Sequence, residues 1–221
     1  MGVLGLVLPR RCAGCDLPGP ELCDRCLAAL VRIGPPVCER CGCPGAWPVR
    51  RCAECAGRRL AFARARSAIV YDARSRAIVS AWKERGRRAL SATLAELVTD
   101  VVAPPAVDAL TPVPGDRERG RERGHVPVVR LAEALGARWH LPVRTLLTRT
   151  GSTSRRQAGL TRADRRANVR AAFTAVRAAP RQVALVDDVY TTGATASACA
   201  SELRRAGARR VEVVCLARAV R

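Results

Sequence analysis

The chain has 221 residues, enough for one full-sized α/β domain and a small second domain. Hydrophobic residues make up 48%, which indicates a globular protein with a sizeable core, whereas the aromatic content of 3% argues against extensive stacking on nucleic-acid bases. The net charge of +20 favours nucleic acid, acidic lipid or phosphorylated ligands as partners, although a solvated arginine-rich surface explains the charge equally well.

The start of the chain gives no targeting signal. Residues 1–11 contain a short apolar run with no basic residue before it, unlike a secretory signal peptide. No stretch approaches the roughly 20 apolar residues that a membrane-spanning helix needs. We therefore expect a soluble cytoplasmic protein with no transmembrane segment.

Cysteines dominate residues 12–55. Nine of the 11 cysteines lie there, and eight of them form four Cys-x-x-Cys pairs. Two cysteines at this spacing direct both thiolates at one ion, and Zn²⁺ takes four ligands from two such turns. The pattern predicts two zinc ions, held by Cys12, Cys15, Cys23, Cys26 and by Cys38, Cys41, Cys52, Cys55, although a crossed grouping has the same spacing. Disulfides are the alternative, which the repeated pattern and the missing secretory signal disfavour.

The cysteine-rich segment also predicts a domain boundary. We expect a double zinc ribbon domain over residues 1–60 and an α/β domain over residues 61–221. A segment this short and poor in large apolar residues needs its metal to fold. Because protein ligands fill all four positions at each ion, the zinc is expected to be structural. The other cysteines, Cys43, Cys199 and Cys215, are interpreted as packing residues.

Predicted strands and helices alternate after residue 60. Strands are predicted over 67–71, 107–113, 142–147, 183–186 and 211–216, and helices over 75–102, with a break at Gly86, over 128–135, ending at Gly136, and over 194–206. Residues 115–124 are predicted to form a loop, and residues 148–166 a mobile one. This alternation predicts an open, mostly parallel sheet with helices on both faces.

The sequence VALVDDVYTTGAT, residues 183–195, carries the strongest chemical signal. A buried strand runs into Asp187 and Asp188, and a loop of small residues then leads into a helix. In open α/β sheets, ligands bind at the carboxyl ends of the strands. Backbone N–H groups at the helix start bind phosphate, whereas two carboxylates repel phosphate and suit hydroxyl groups. The stretch therefore favours a ribose 5-phosphate over the alternative, an ordinary strand, cap and helix.

These thirteen residues resemble the phosphoribosyl pyrophosphate (PRPP) binding motif of type I phosphoribosyltransferases. Together with the four Cys-x-x-Cys pairs, further motifs resemble the ComF family over roughly residues 8–218. In nearly the family's order they are Trp82-Lys-Glu-Arg-Gly86, Pro112-Val-Pro114, Arg121-Glu-Arg-Gly124, Gln157-x-x-Leu160, Arg165-x-x-Asn168-Val169 and Phe173.

The resemblance implies a type I phosphoribosyltransferase-like fold, and transfer of phosphoribosyl to an unidentified acceptor with release of pyrophosphate. It implies that Asp187 and Asp188, at the catalytic centre, hold the ribose hydroxyls, and that Arg117 lies in the loop that receives pyrophosphate. Mg²⁺ is expected to be carried mainly by oxygens of PRPP. The residues implied for the 5-phosphate are Thr191, Thr192, Gly193, Ala194 and Thr195.

Two basic residues leave alternatives open. Lys83 is the only lysine among 39 basic residues, and it is either a compact phosphate-binding charge or a solvated helix position. His125 follows Gly124 where the family usually has an aromatic residue and then Asn, and it is either a general base or a surface residue.

The resemblance also implies an alternative function. In it, the chain is an accessory protein of DNA uptake that binds single-stranded DNA and works beside a DNA translocase, peripheral to the inner face of the membrane. PRPP would then be a ligand, a regulator or a remnant of an inherited pocket. The sequence leaves the oligomeric state open, a dimer included.

Overall fold

A parallel four-stranded sheet lies at the centre of the molecule, as the alternation of strands and helices predicts. The structure is a computed structural model that describes residues 10–115, 126–150 and 172–220. The central strands follow the order β1-β6-β5-β2, and β3 and β4 pair antiparallel in a second, two-stranded sheet. The strands are β1 (Arg64–Val70), β2 (Ala109–Pro112), β3 (Leu147–Arg149), β4 (Phe173–Ala175), β5 (Gln182–Tyr190) and β6 (Arg210–Arg218).

Helices cover both faces of the central sheet. One face packs against α2, α3 and α4, and the other packs against α5 and the β3–β4 sheet. This arrangement confirms the predicted fold class of a parallel sheet between helices. The helices are α1 (Asp24–Ala28), α2 (Ala73–Lys83), α3 (Leu90–Val101), α4 (Pro127–Trp139) and α5 (Ala194–Arg205). Gly86, with φ of 68°, lies in the predicted break between α2 and α3.

The apolar run at the start of β5 serves two cores. Ala184 and Val186 face the core of α2–α4, whereas Val183 and Leu185 face the core of α5. All four residues are fully buried. A strand buried on both faces needs apolar residues at every position, which explains the unbroken run of four.

β5 is longer than predicted. It runs on to Tyr190, which pairs with Arg218 of β6, whereas β2 leaves β5 at the Pro112–Val186 pair. Asp187 and Asp188 therefore lie within β5, just beyond the end of β2. The apolar pattern ends at Val186, but the backbone hydrogen bonds to β6 continue.

The segment after α4 also differs from the prediction. Instead of a strand over residues 142–147, the chain makes one parallel bridge, between Val143 and Leu110, before β3 begins at Leu147. α4 continues past Gly136 to Trp139, and its C-cap residue, His140, has a φ of 55°. A Cβ atom on Gly136 would lie 2.6 Å from Val143 Cγ2 and 2.8 Å from the Leu141 carbonyl oxygen. Gly136 therefore lets the chain fold back against the helix.

The cysteine-rich segment joins the outer edge of the sheet. Backbone hydrogen bonds link Ile33 N to Ala68 O, Val70 N to Val31 O and Ala65 N to Arg40 O, each between 2.8 and 2.9 Å. These bonds cover β1, an edge strand whose unpaired backbone groups would otherwise invite association. The division into domains at residue 60 stays a prediction. Among the described residues, none of the helices combines the length and apolar character that a membrane crossing requires.

The packing of Gly136 reverses the usual effect of a substitution in a helix. Alanine normally stabilises a helix interior by about 1 kcal/mol relative to glycine. We expect Gly136→Ala instead to lower the free energy of unfolding by about 1–3 kcal/mol, because the new methyl group overpacks the contact with Val143. Chemical denaturation with zinc present measures this change. Ala137→Gly, at an exposed position of the same helix, is the control for propensity alone, and stabilisation by Gly136→Ala would contradict the packing argument.

Candidate functional site

Eight cysteines form two separate groups. The first cysteine cluster is Cys12, Cys15, Cys23 and Cys26, and the second cysteine cluster is Cys38, Cys41, Cys52 and Cys55. Within each cluster the sulfur atoms all lie within 4.8 Å of one another, and all eight thiols are free of disulfides. The grouping follows chain order, so the structure favours the simpler of the two pairings that the spacing allows.

The distances between sulfur atoms fit zinc. Four sulfur ligands about 2.3 Å from a central ion lie about 3.8 Å apart at the corners of a tetrahedron. In the first cluster, Cys23 Sγ lies 3.6 Å from Cys12 Sγ and 3.9 Å from Cys15 Sγ. In the second, the Cys38–Cys55, Cys41–Cys52 and Cys52–Cys55 distances are 3.7, 3.5 and 3.9 Å. Both clusters can therefore hold a metal ion with the dimensions of zinc.

Backbone N–H groups favour the thiolate form in both clusters. Gly14 N and Cys23 N donate to Cys12 Sγ at 3.4 and 3.3 Å, and Cys52 N donates to Cys38 Sγ at 3.3 Å. Burial opposes ionisation, but these donors outweigh it and lower the pKa of Cys12 to about 6 and the pKa of Cys38 to about 7. A thiolate is the form that binds metal, so each cluster holds one ligand poised for it.

The two adjacent aspartates lie side by side but in different environments. Asp187 is partly buried, and Asp188 is 7% exposed. Each carboxylate accepts a hydrogen bond from the next backbone amide, Asp188 N to Asp187 Oδ1 at 2.9 Å and Val189 N to Asp188 Oδ1 at 2.7 Å. These bonds hold both side chains close to the strand, where β2 no longer covers β5.

Lys83 pairs with Asp188. It is the last residue of α2, and its ammonium group forms an ion pair with Oδ2 of Asp188. Burial raises the pKa of Asp188, but the charge and hydrogen bond of Lys83 outweigh this effect and hold it below the ordinary value. Burial and the neighbouring charge of Asp188 raise the pKa of Asp187 well above its ordinary value. The pair therefore combines a firmly ionised carboxylate with one that binds a proton more readily.

The 191–195 loop connects β5 to α5. Gly193 is the N-cap of α5 with φ of 71°, a conformation that favours glycine. Because glycine has no side chain, residue 193 makes no side-chain hydrogen bond to the backbone amides at the start of α5. The nearby Thr192 hydroxyl lies 3.4 Å from Ala194 N. Thr191 is exposed, and Ala194 and Thr195 are partly exposed, so the loop and helix start are open to an anion.

The side chain of Tyr190 packs against Gly193 of this loop. A Cβ atom on Gly193 would lie only 2.6 Å from the Cζ atom of Tyr190, whose ring is buried against Phe62 at a centroid distance of 6.2 Å. Tyr190 is a residue of the site that the sequence does not indicate. A tyrosine between a strand and a loop resembles an ordinary core residue, so the sequence offered no separate signal for it.

The structure brings some of the predicted residues together. Lys83, Asp187 and Asp188 share one site next to the 191–195 loop, which excludes a purely solvated position for Lys83. Arg117 and His125 lie outside the described residues, as do residues 151–171, where the predicted mobile loop falls. The roles predicted for all these residues stay predictions.

Proteins with sequences similar to this chain are known in bacteria. No protein-family model matches the chain. Over 229 residues it is 28% identical to DNA utilization protein YhgH of Salmonella typhi, an alignment that covers 96% of this chain and 99% of the relative. It is 34% identical over 116 residues to Competence protein F of Haemophilus influenzae, which covers 51% of each chain.

Two solved structures show limited similarity to the chain. A glutamine PRPP amidotransferase from B. subtilis, complexed with ADP and GMP, matches with a TM-score of 0.39 and 24% identity. That match covers 59% of this chain and 26% of the amidotransferase. A purine phosphoribosyltransferase from Pyrococcus horikoshii matches with a TM-score of 0.30 and 21% identity, covering 61% of this chain and 71% of that one.

The sulfur geometry predicts two zinc ions per chain, lost one at a time. We expect elemental analysis of the purified protein to give two zinc ions, Cys23→Ser to remove the first and Cys52→Ser to remove the second. Cys43→Ser is the matched control, because Cys43 lies in the same segment but belongs to neither cluster. Loss of both ions from either ligand variant, or an intact protein without zinc, would contradict the assignment.

Proposed function

We propose that this chain is a ComF-family protein that binds PRPP with Mg²⁺ and transfers its phosphoribosyl group to an acceptor, releasing pyrophosphate. The observation that carries the proposal is the site at the end of β5. There Asp188, which is ion-paired with Lys83, and the partly buried Asp187 lie close to the exposed start of α5. These features suit the two ends of a ribose 5-phosphate.

The aspartates suit hydroxyl groups. In this proposal Asp187 and Asp188 accept hydrogen bonds from the ribose 2- and 3-hydroxyls, because a carboxylate accepts such bonds strongly. The ion pair with Lys83 keeps Asp188 charged at the low exposure of its site. Thr191, Thr192, Gly193, Ala194 and Thr195 then hold the 5-phosphate through backbone amides and hydroxyls.

The proposed chemistry needs positioning more than a covalent nucleophile. The acceptor donates an electron pair to the anomeric carbon, and the bond to the pyrophosphate oxygen breaks with its electrons leaving on pyrophosphate. The transition state has oxocarbenium character, so charge placement and alignment dominate catalysis. Lys83, at the site itself, and Arg117 are the cations that we propose for the leaving pyrophosphate.

Mg²⁺ has a limited place in this proposal. In the described part of the chain, the groups of three or more potential metal-ligating side chains are the two cysteine clusters. The carboxylates at the site are two, and Asp188 is already paired with Lys83. Oxygens of PRPP itself would therefore carry Mg²⁺, which would neutralise charge on the leaving pyrophosphate.

A different surface favours a second candidate function, binding of single-stranded DNA. Trp47, between Cys43 and Cys52 in the sequence, is 70% exposed, and Arg50 and Arg51, shortly after it in the chain, are exposed too. Three further arginines, Arg58, Arg59 and Arg205, line a cleft of about 600 Å³ between the end of the second cluster and α5. An exposed aromatic ring beside cations is the usual means of holding an unpaired base and its phosphates. The relatives named for DNA utilization and competence agree with this candidate.

The DNA translocase partner, the cytoplasmic location at the inner face of the membrane and a dimeric state stay predictions. Both candidate functions are compatible with one molecule, because the paired aspartates and Trp47 belong to different segments.

The first experiment is calorimetric titration of the zinc-loaded protein with PRPP and Mg²⁺. We expect binding in the parent protein and a loss of roughly 100-fold or more in affinity for the double variant Asp187→Asn, Asp188→Asn, since hydrogen bonds to charged groups contribute about 1.5–3 kcal/mol each. Asp108→Asn is the matched control, because Asp108 accepts a hydrogen bond from Gln182 N at the opposite end of β5. Equal binding by the double variant would refute the assigned pocket, and absence of binding by folded parent protein would refute the PRPP proposal.

The DNA candidate has its own test. We expect a fluorescently labelled oligothymidine to bind more weakly as salt rises, and Trp47→Ala to weaken binding by about 5- to 150-fold, the loss of one stacked base. Fluorescence anisotropy measures both effects. Leu17→Ala, at another exposed apolar residue, is the control, and binding should survive the double aspartate variant. An unchanged affinity in Trp47→Ala would exclude stacking on this residue.

A further inference from the structure

A buried arginine connects the second cysteine cluster to the strand that carries the acidic pair. Arg218, the last residue of β6, is 1% exposed. Its Nη1 donates to the Cys41 carbonyl oxygen at 2.7 Å, and its Nη2 lies 3.6 Å from Cys41 Sγ. Nη2 also donates to Glu54 Oε2 at 2.7 Å. Arg218 therefore touches both the backbone and the sulfur of one proposed zinc ligand.

The charges explain why an arginine can be buried there. A buried cation is costly unless it is paired and hydrogen-bonded. Glu54 pairs with Arg218 on one side, and Cys43 Sγ donates to the other oxygen of Glu54 at 3.5 Å. Four thiolates around Zn²⁺ carry a net charge of −2, so a loaded second cluster places further negative charge beside the guanidinium group. Contacts of this kind around a metal ligand orient it and tune metal affinity.

Arg218 also contacts Tyr190, the residue that immediately precedes the 191–195 loop. Its guanidinium carbon lies 4.6 Å from the centroid of the Tyr190 ring, a distance typical of a cation–π contact. Tyr190 and Arg218 are also cross-strand partners in the β5–β6 ladder. Phe62 also contacts the Tyr190 ring, edge to face. The ring thus contacts both Phe62 and Arg218, and it packs closely against Gly193.

The two cysteine clusters belong to different hydrophobic cores. The second cluster belongs to the core that contains Tyr190 and the buried face of α5. The first cluster belongs to the core of α2, α3 and α4, on the other face of the sheet. The chain of contacts from sulfur through Arg218 and Tyr190 to Gly193 therefore starts at the second cluster.

We propose that Arg218 is a positioning residue that couples the second zinc site to the 191–195 loop. Zinc at the second cluster fixes Cys41 and Glu54, these fix the guanidinium group, and the guanidinium group holds the Tyr190 ring against Gly193. Loss of the second zinc then loosens the loop, whereas loss of the first does not. The consequence for phosphate binding rests on the proposed function of this loop, but the coupling itself does not.

The test compares Arg218→Met with a matched control, Arg66→Met. Arg66 also donates to the cysteine-rich segment, to Glu39 O at 3.0 Å, but it is not among the residues that hold Tyr190. Release of zinc to a coloured chelator reports the metal sites, and hydrogen exchange of peptides that cover residues 190–197 reports the loop without any ligand. We expect Arg218→Met to bind one of its two zinc ions about 10- to 100-fold more weakly than the parent, as removal of such a contact typically does, and therefore to release that ion faster. We also expect its 190–197 peptides to exchange faster.

Ligand variants separate coupling from general damage. Cys52→Ser, which leaves Arg218 intact, is expected to speed exchange over residues 190–197, and Cys23→Ser is expected to leave it at the parental rate. Arg218→Lys keeps the charge without the planar fork and should fall between parent and Arg218→Met. It also keeps the test decisive if Arg218→Met fails to fold. Equal loop exchange in Cys52→Ser and parent, or equal acceleration by Cys23→Ser, would overturn the proposal.

PRPP titration of the same variants is the last arm. Weaker binding by Arg218→Met and Cys52→Ser, with normal binding by Cys23→Ser, would extend the coupling to the ligand. If the parent protein binds no PRPP, the proposed function fails, while zinc release and hydrogen exchange still decide whether Arg218 couples the two sites.

Discussion

The long backbone ladder between β5 and β6 is the interaction on which the positions of the acidic pair, Asp187 and Asp188, and of the 191–195 loop depend. It runs from the Gln182–Arg210 pair to the Tyr190–Arg218 pair, four residues beyond the last pair that β5 makes with β2. Among the described residues, Asp187 and Asp188 in this overhang have no pairing partner in β2, while β6 still satisfies the strand's backbone. The same overhang places Tyr190 beside Arg218, so one ladder positions the acidic pair and the support of the 191–195 loop.

In the described part of the chain, each buried charged residue has an ion-pair partner that is distant in sequence. Lys83 of α2 pairs with Asp188 of β5, and Arg218 of β6 pairs with Glu54, which lies between Cys52 and Cys55. Glu212, 3% exposed, accepts from Arg64 and Arg210 with one oxygen each, at 2.7 and 2.8 Å. Breaking such a pair leaves an uncompensated buried charge, which is far more destabilising than the net gain from the pair. These pairs therefore specify how the elements fit together more than they add stability.

The sequence predicted the parts of the molecule whose signal is local. The four Cys-x-x-Cys pairs predict both clusters because spacing within one turn decides where two thiols point, and the VALV run predicts a doubly buried strand. Distant contacts left no such signal. Arg218 is one of many arginines, and only the fold shows that it is buried against Cys41 and Tyr190. Gly136 resembled a helix end because glycine often terminates helices, whereas here the return of residues 141–143 requires it within the helix.

The placement of the two clusters bears on why a protein with this site would keep a cysteine-rich segment. If the zinc ions served only to fold that segment, the segment could lie anywhere relative to the sheet without affecting the site. Instead the first cluster contributes to one core and the second to the other, and the chain between them adds hydrogen bonds to β1. The cysteine-rich segment thus packs against both faces of the sheet and hydrogen-bonds to its β1 edge. A loop at the end of β5 is held from one side by its own helix and from the other through Arg218, so metal binding and loop geometry share the same residues.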